Sequence, residues 1–265
     1  MTIQKMSDSE YFALDALDQT LLKKFMVSPL EYSHAKSHPM PTSSMRLGSA
    51  AHSLILGSGP DVVESPDGRT KYGKQRIREI SEKGDIALNA ADLKTVHGMR
   101  DMMGDYFTSM PGEAEMAMTA EDPWTGLSLK GKADYLPTEP IDGTYRILDY
   151  KTTSNSPEDF PRSAYRLGYY IQAAFYMRLF RINTAGDDAP LGFRFVVQST
   201  NPPYDWMIWD IDEDSLEIEA SAHRIDSALH DFSECQEMDR FDQGLDKTPH
   251  ALMMSTWELQ NLEDF

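Results

Sequence analysis

Cysteine is almost missing from this chain: Cys235 is the only one in 265 residues. That excludes an internal disulfide and any zinc or iron–sulfur site built from cysteines alone. No apolar run approaches the roughly eighteen residues that a membrane span requires. The first residues, MTIQKMSDSEYFALDAL, lack the basic-then-apolar layout of a secretion signal, so a cytoplasmic protein with no membrane contact is expected. Basic residues are scarce as well, 25 Lys and Arg against 43 Asp and Glu, for a net charge of −18. Phosphate backbones select basic surfaces, and an evenly acidic protein is repelled by them. No internal repeat or low-complexity run is visible.

What is present describes an ordinary globular chain, with 40% hydrophobic residues and enough length to bury a sizeable core. The basic residues are unevenly spread. Arg69, Lys71, Lys74, Arg76 and Arg78 cluster, whereas 205–219 and 258–265 are acidic. Residues 7–34 read as helical, with Ser7 and Glu10 as a capping box and an apolar face from Leu14, Leu17, Leu21, Leu22 and Phe25. Ser28-Pro29 breaks that run, and 37–44 is a polar loop. Helices are predicted over 44–56, 72–83, 90–109 and 213–240, the third with a core face of Leu93, Val96, Met99, Met103 and Phe107. Ala114–Thr119 reads as the first strand of a sheet, Pro123–Gly126 as a turn in which Trp124 packs, and 191–199 and 206–211 as later strands. The tail, with Leu252, Met253, Met254 and Trp257, is expected to pack on the body.

The chemistry concentrates between Leu129 and Tyr176. Ile147-Leu148-Asp149-Tyr150-Lys151 reads as a short strand, and strand alternation puts Asp149 and Lys151 on one side with Ile147. Asp134 lies fifteen residues upstream across a turn at 141–144, the spacing of two adjacent antiparallel strands with a long loop. Paired that way, the two aspartates come within reach of one cation, and two carboxylates with a backbone carbonyl suffice for Mg²⁺, which keeps several waters. Gln172 and Tyr176, four residues apart, share a helix face. Each piece alone has a plainer reading. Asp-x-Lys on a strand is usually a surface ion pair, and a lone His52 on a helix is more often a packed or surface residue. The order Gly-x-x-Asp, Asp-x-Lys-Thr, Gln-x-x-x-Tyr within about fifty residues is what stands out.

That order resembles the RecB-like branch of the PD-(D/E)XK nucleases, and LGSAAH (47–52) looks like that branch's upstream histidine motif. The likeness is greatest to the nuclease domain of RecE (exonuclease VIII) and related phage exonucleases, through RLGSAAHSLIL (46–56), SPDGRTKYGKQ (65–75), KGKADYLP (130–137), ILDYKTT (147–153), YIQAAFY (170–176) and FVVQST (195–200). It implies one α/β domain over 1–265: a mixed central sheet flanked by helices, with a helical leading region at 1–60, a sheet core at 113–212 and a last helix and tail at 213–265. It implies a phosphodiester hydrolase using Mg²⁺, with Mn²⁺ tolerated. His52, Asp134, Asp149 and the Tyr150 carbonyl are then metal ligands, and Glu115 a further one. Lys151 acts on the attacking water or the phosphate, and Gln172 and Tyr176 position the DNA. Arg46, Arg69, Lys71 and Lys74 are candidate phosphate contacts. The resemblance also implies 5′→3′ degradation of double-stranded DNA ends, a ring-shaped homo-oligomer (trimer or tetramer), a RecT-like single-strand annealing partner, and a phage or prophage origin. An endonuclease of the same fold and a non-catalytic binding module are the alternatives. A Cas4-like iron–sulfur nuclease is excluded by the single cysteine.

Overall fold

The computed structural model describes residues 2–38, 43–185 and 188–253, the side chains of 43–45 apart. Along the chain run β1 (Thr2–Lys5), α1 (Asp8–Ala13), α2 (Gln19–Phe25), α3 (Pro29–Ser37), α4 (Ser43–Leu56), β2 (Val62–Glu64), α5 (Lys71–Glu82) and β3 (Ile86–Leu88). There follow α6 (Ala90–Met103), β4 (Gly112–Glu121), β5 (Ser128–Pro137), β6 (Tyr145–Thr153), α7 (Phe160–Leu167), α8 (Tyr169–Asn183), β7 (Leu191–Ser199), β8 (Trp206–Asp212) and α9 (Leu216–Met238).

Six strands form one mixed sheet in the order β1-β4-β5-β6-β7-β8. All neighbours are antiparallel except β6 and β7. A parallel pair needs a long crossover, and residues 154–190 supply it as α7 and α8. Strand alternation then divides the core. Ile147 on β6 and Phe193, Phe195 and Val197 on β7 meet α2, α8 and α9. Leu148, Tyr150 and Val196 point the other way, onto α4 and α6. The α/β architecture expected from the sequence, a mixed sheet with helices on both faces, is the one observed. Among the described residues no helix is long and apolar enough to cross a membrane.

Several local expectations are corrected. The Ser7–Glu10 capping box forms, but the helix it starts ends at Ala13. The buried ammonium of Lys130 takes the Tyr11 and Leu14 carbonyls at 3.0 and 2.8 Å, Leu17 bridges to Leu129, and Asp18 caps α2 through the Thr20 and Leu21 amides. A short acidic side chain offering that alternative competes with helix continuation. Likewise α6 stops at Met103, because Gly104 takes φ +61°, although Phe107 beyond it is still buried. Strand β4 is not the first in the sheet: β1 lies outside it at the edge. Trp124 is 85% exposed and does not pack in its turn. The loop expected at 37–44 falls largely on 39–42, outside the described residues, between α3 and α4. In the tail, Leu252 and Met253 are exposed rather than packed, and Met254 and Trp257 lie outside the described residues.

Asp122 holds the β4–β5 turn instead. It accepts from the Thr125 amide and hydroxyl at 3.0 and 2.8 Å and from Arg178 of α8 at 2.6 and 3.0 Å. Burial alone would raise its carboxyl pKa, but Arg178 and Thr125 outweigh burial and hold it below the usual carboxylate range. Asp122→Ala leaves Arg178 with only the exposed Asp226 and is expected to cost about 3 kcal/mol in urea unfolding, as for a broken buried pair. Because the folded pKa is depressed, the stability gap between wild type and Asp122→Asn is full above pH about 4 and closes as pH falls through the folded value; urea melts from pH 7 to 2 measure it.

Candidate metal centre

Regular pairing between β5 and β6 is confined to Tyr135 and Leu148. One residue further, Asp134 and Asp149 are next in register, and there the two strands part. The Tyr150 N–H, left without a ladder partner on β5, donates to Asp134 Oδ2 at 2.7 Å. A side-chain carboxylate thus replaces the missing strand carbonyl.

Two further residues converge on Asp134. On β4, the pairs Ala114↔Tyr135 and Met116↔Ala133 leave Glu115 opposite Asp134. Glu115 has φ +59°, a left-handed backbone inside a strand, which costs on the order of 1 kcal/mol or more and persists only where surrounding structure enforces it. From α4, His52 Nδ1 approaches Asp134 Oδ2 to 3.4 Å, and its ring stands edge-on to Tyr150 at 5.0 Å. Ligand atoms of His52, Glu115 and Asp134 all lie within 4.8 Å of one another. One imidazole nitrogen and two carboxylates suit a hard or borderline divalent cation. Burial and the nearby Lys151 lower the His52 pKa against the opposing pull of Asp149, Glu115 and the Tyr150 carbonyl, which favours the neutral imidazole that metal binding requires. Burial and the neighbouring Asp149 push the Asp134 carboxyl well up, the signature of crowded like charges that a cation would relieve.

Asp149 lies beside this trio and outside it. Only 2% exposed, it accepts from Gln172 Nε2 through Oδ1 at 2.5 Å, and Lys151 Nζ lies 2.5 Å from Oδ2. Oδ2 is therefore engaged by the Lys151 ammonium, which balances its charge. Burial lowers the Lys151 pKa, but Asp149 and Asp134 outweigh it and the net shift is upward. Gln172 and Tyr176 do share a buried face of α8. Tyr176 packs on β5, where a Cβ on Gly131 would lie 3.0 Å from its ring and 2.9 Å from Leu179. Burial, then Tyr11 and Asp149, raise its pKa.

Of the expected residues, His52, Glu115, Asp134, Asp149, Tyr150, Lys151, Gln172 and Tyr176 are therefore brought together. The expected phosphate contacts are not tied to this group by any hydrogen bond or ion pair among the described residues. Arg69 pairs with Asp67 at 3.1 Å, Lys71 and Lys74 begin α5, and Arg46 is exposed on α4. Sequence reasoning missed Lys132, which touches Asp8 and lies 2.6 Å from Glu115 Oε2. It is two residues before Asp134, so strand alternation alone places it on the same side. It also missed Tyr169, whose ring lies 4.9 Å from Lys151 Nζ, and Lys23, 5.9 Å from the same ring; nothing local in the sequence signals either.

The family described as "PDDEXK-like domain of unknown function (DUF3799)" matches residues 19–244. The chain is similar in structure to a protein from Eubacterium rectale provisionally assigned as an exonuclease, with 16% identity, a TM-score of 0.58, and coverage of 97% of this chain and 98% of that one. A phage-related exonuclease from Haemophilus somnus 129PT matches at 15% identity over 84% of this chain and 96% of its own, with a TM-score of 0.36. A comparison with curated proteins found no match.

Two substitutions test the construction of the centre. Glu115→Asn, which tolerates a left-handed backbone, is expected to weaken Mn²⁺ binding at least tenfold by calorimetry while leaving metal-free stability unchanged or higher. Gly131→Ala forces its methyl against Tyr176 and Leu179 and is expected to lower stability by about 1–3 kcal/mol in chemical denaturation.

Proposed function

Since this chain belongs to the PDDEXK-like family, we propose that it is a metal-dependent DNA exonuclease, hydrolysing phosphodiester bonds from the ends of linear duplexes. The observation that carries this reading is the parting of β5 and β6, which sets His52, Glu115 and Asp134 against Asp149 and Lys151. His52, Glu115 and Asp134 would hold the cation, Mg²⁺ or Mn²⁺, with Asp149 and the Tyr150 carbonyl as further donors. The convergence of His52, Glu115 and Asp134 and the crowding of carboxylates around Asp134 fit such an ion. A bound divalent cation supplies a water of lowered pKa and neutralises charge on the phosphate. Lys151 orients the attacking water or donates to the phosphate oxygens as charge develops on them. Gln172 fixes the Asp149 carboxylate by donating to it. Tyr176, pressed on Gly131, supports β5 beneath Asp134.

Likeness to RecE extends the proposal to 5′→3′ resection leaving 3′ single-stranded overhangs for recombination by strand annealing. A ring-shaped homo-oligomer and a RecT-like annealing partner belong to the same proposal, as does a single nuclease domain over 1–265.

Linear duplex DNA labelled at either end, incubated with Mg²⁺ beside a closed circle, decides the question. Loss from the 5′ end of the linear substrate alone is expected, falling at least a hundredfold in Asp149→Ala or Lys151→Ala. Cutting of the circle points to an endonuclease, and absence of cleavage by folded protein with either metal points to a binding module.

A further inference from the structure

Lys23 stands out among the cations near the site. Its side chain crosses Gly168, the left-handed link (φ +66°) between α7 and α8, so closely that a Cβ there would lie 2.9 Å from Lys23 Cδ. Its ammonium donates to the Leu167 carbonyl at the end of α7, at 3.2 Å. That satisfies one of three donors, and no carboxylate pairs with it among the described residues. It shares the Tyr169 ring with Lys151. Burial and the charge of Lys151 press its pKa down to about 8, Asp149 and Asp18 opposing them only partly. A half-buried cation beside another cation, with donors to spare, is a group that an anion would stabilise.

The helix that Lys23 touches is unusual for so acidic a chain. α7 has the sequence FPRSAYRL and carries no acidic residue. Its Phe160 and Ala164 are buried, while Arg162, Tyr165 and Arg166 lie at i, i+3 and i+4 on the opposite, solvent-facing side. Tyr165 is 81% exposed. Neither arginine pairs with a carboxylate among the described residues, whereas Arg146, Arg178, Arg181 and Arg194 are all taken by Asp or Glu. Alternating cations and an aromatic face are what hold a single strand, the cations its phosphates and the ring an unpaired base.

We propose that Lys23 and the exposed Arg162–Tyr165–Arg166 face of α7 form a surface that holds single-stranded DNA beside Lys151, with Lys23 receiving the phosphate nearest the reacting centre. The proposal rests on the nucleic-acid substrate argued above, and its test separates the two. Binding of a fluorescein-labelled 12-nucleotide single strand is followed by anisotropy in EDTA, where no cleavage occurs, across a range of salt. Lys23→Met, which keeps the packing on Gly168, and the double variant Arg162→Gln/Arg166→Gln are each expected to weaken binding several-fold. Each should also flatten the dependence of log K on log salt, by about 1 for every phosphate that the variant no longer neutralises. Tyr165→Ala, on an exposed side chain where folding is not at stake, should weaken binding with the salt slope unchanged, and Lys23→Arg should restore it. Arg224 on α9, exposed and without a carboxylate partner among the described residues, serves as the control, and Arg224→Gln should bind as wild type. The proposal is overturned if the α7 variants bind like wild type, or if Arg224→Gln loses as much as they do; cleavage by wild type with Mg²⁺ would leave the nuclease reading standing in either case. A wild-type protein that does not bind the single strand also overturns the proposal, and the nuclease reading falls only if folded protein fails to cleave with either metal.

Discussion

The separation of β5 from β6 just past Tyr135 and Leu148 is the constraint on which the rest of the centre depends. Two central strands that part inside a sheet leave unpaired backbone groups in a buried place, and such groups must be satisfied. Asp134 does this for the Tyr150 amide, and in doing so its carboxylate is fixed at the cleft rather than left to swing. The cleft also brings Asp149 to bear, since its register puts it across from Asp134. The helices then close it from both faces: His52 comes from α4 on one side, and Gln172 from α8 on the other. Backbone satisfaction and the gathering of candidate ligands are one arrangement here.

Gathering three carboxylates in a half-buried cleft is unfavourable without cations, and the surroundings show how the fold tolerates it. Lys132 bridges Glu115 and Asp8, and Lys151 lies on Asp149. Lys130, on the same strand side as Lys132, reaches the carbonyls of the leading segment. These β5 lysines tie α1 to the sheet, so the short leading helix is part of the charge balance of the centre. The left-handed Glu115 is local strain of the kind that clusters at functional sites, and Lys132 is one of the partners that hold it there.

The sequence made the core of this picture legible because its signals are local. Alternation on ILDYK requires Asp149 and Lys151 to share a side, and helical spacing requires the same of Gln172 and Tyr176. The mixed sheet follows from a strand, a two-helix stretch and another strand between Tyr145 and Ser199. Less legible was whatever depends on distant partners. The interruption after Ala13 is set by a lysine on β5 more than a hundred residues away, and no periodicity within 7–25 reports it. The four residues of β1 are too few to declare themselves as a strand without β4 to pair with. Glu115 could be named from the resemblance, but not its backbone, because nothing in GEAEMAM marks a left-handed residue. Lys23 and Tyr169 meet Lys151 only through the packing of α2 on α8.

The acidity of the chain takes on a different meaning once its ion pairs are traced. Many of the basic residues are engaged inside it: Arg178 on Asp122 and Asp226, Arg181 on Glu213, Arg194 on Asp210, and Arg146 on Asp212. These pairs fasten α8 and the β7–β8 edge and offer nothing to a polyanion. What is left uncompensated is therefore mostly acidic, in keeping with the net charge of −18. On such a surface a small group of free cations has more discriminating power than it would on a basic protein, α5 with Lys71, Lys74 and Arg78 being another such group. Under the proposed reading, acidity and nucleic-acid chemistry do not conflict: the acidic body repels a strand, and the free cations beside the proposed metal ligands offer it a place to dock.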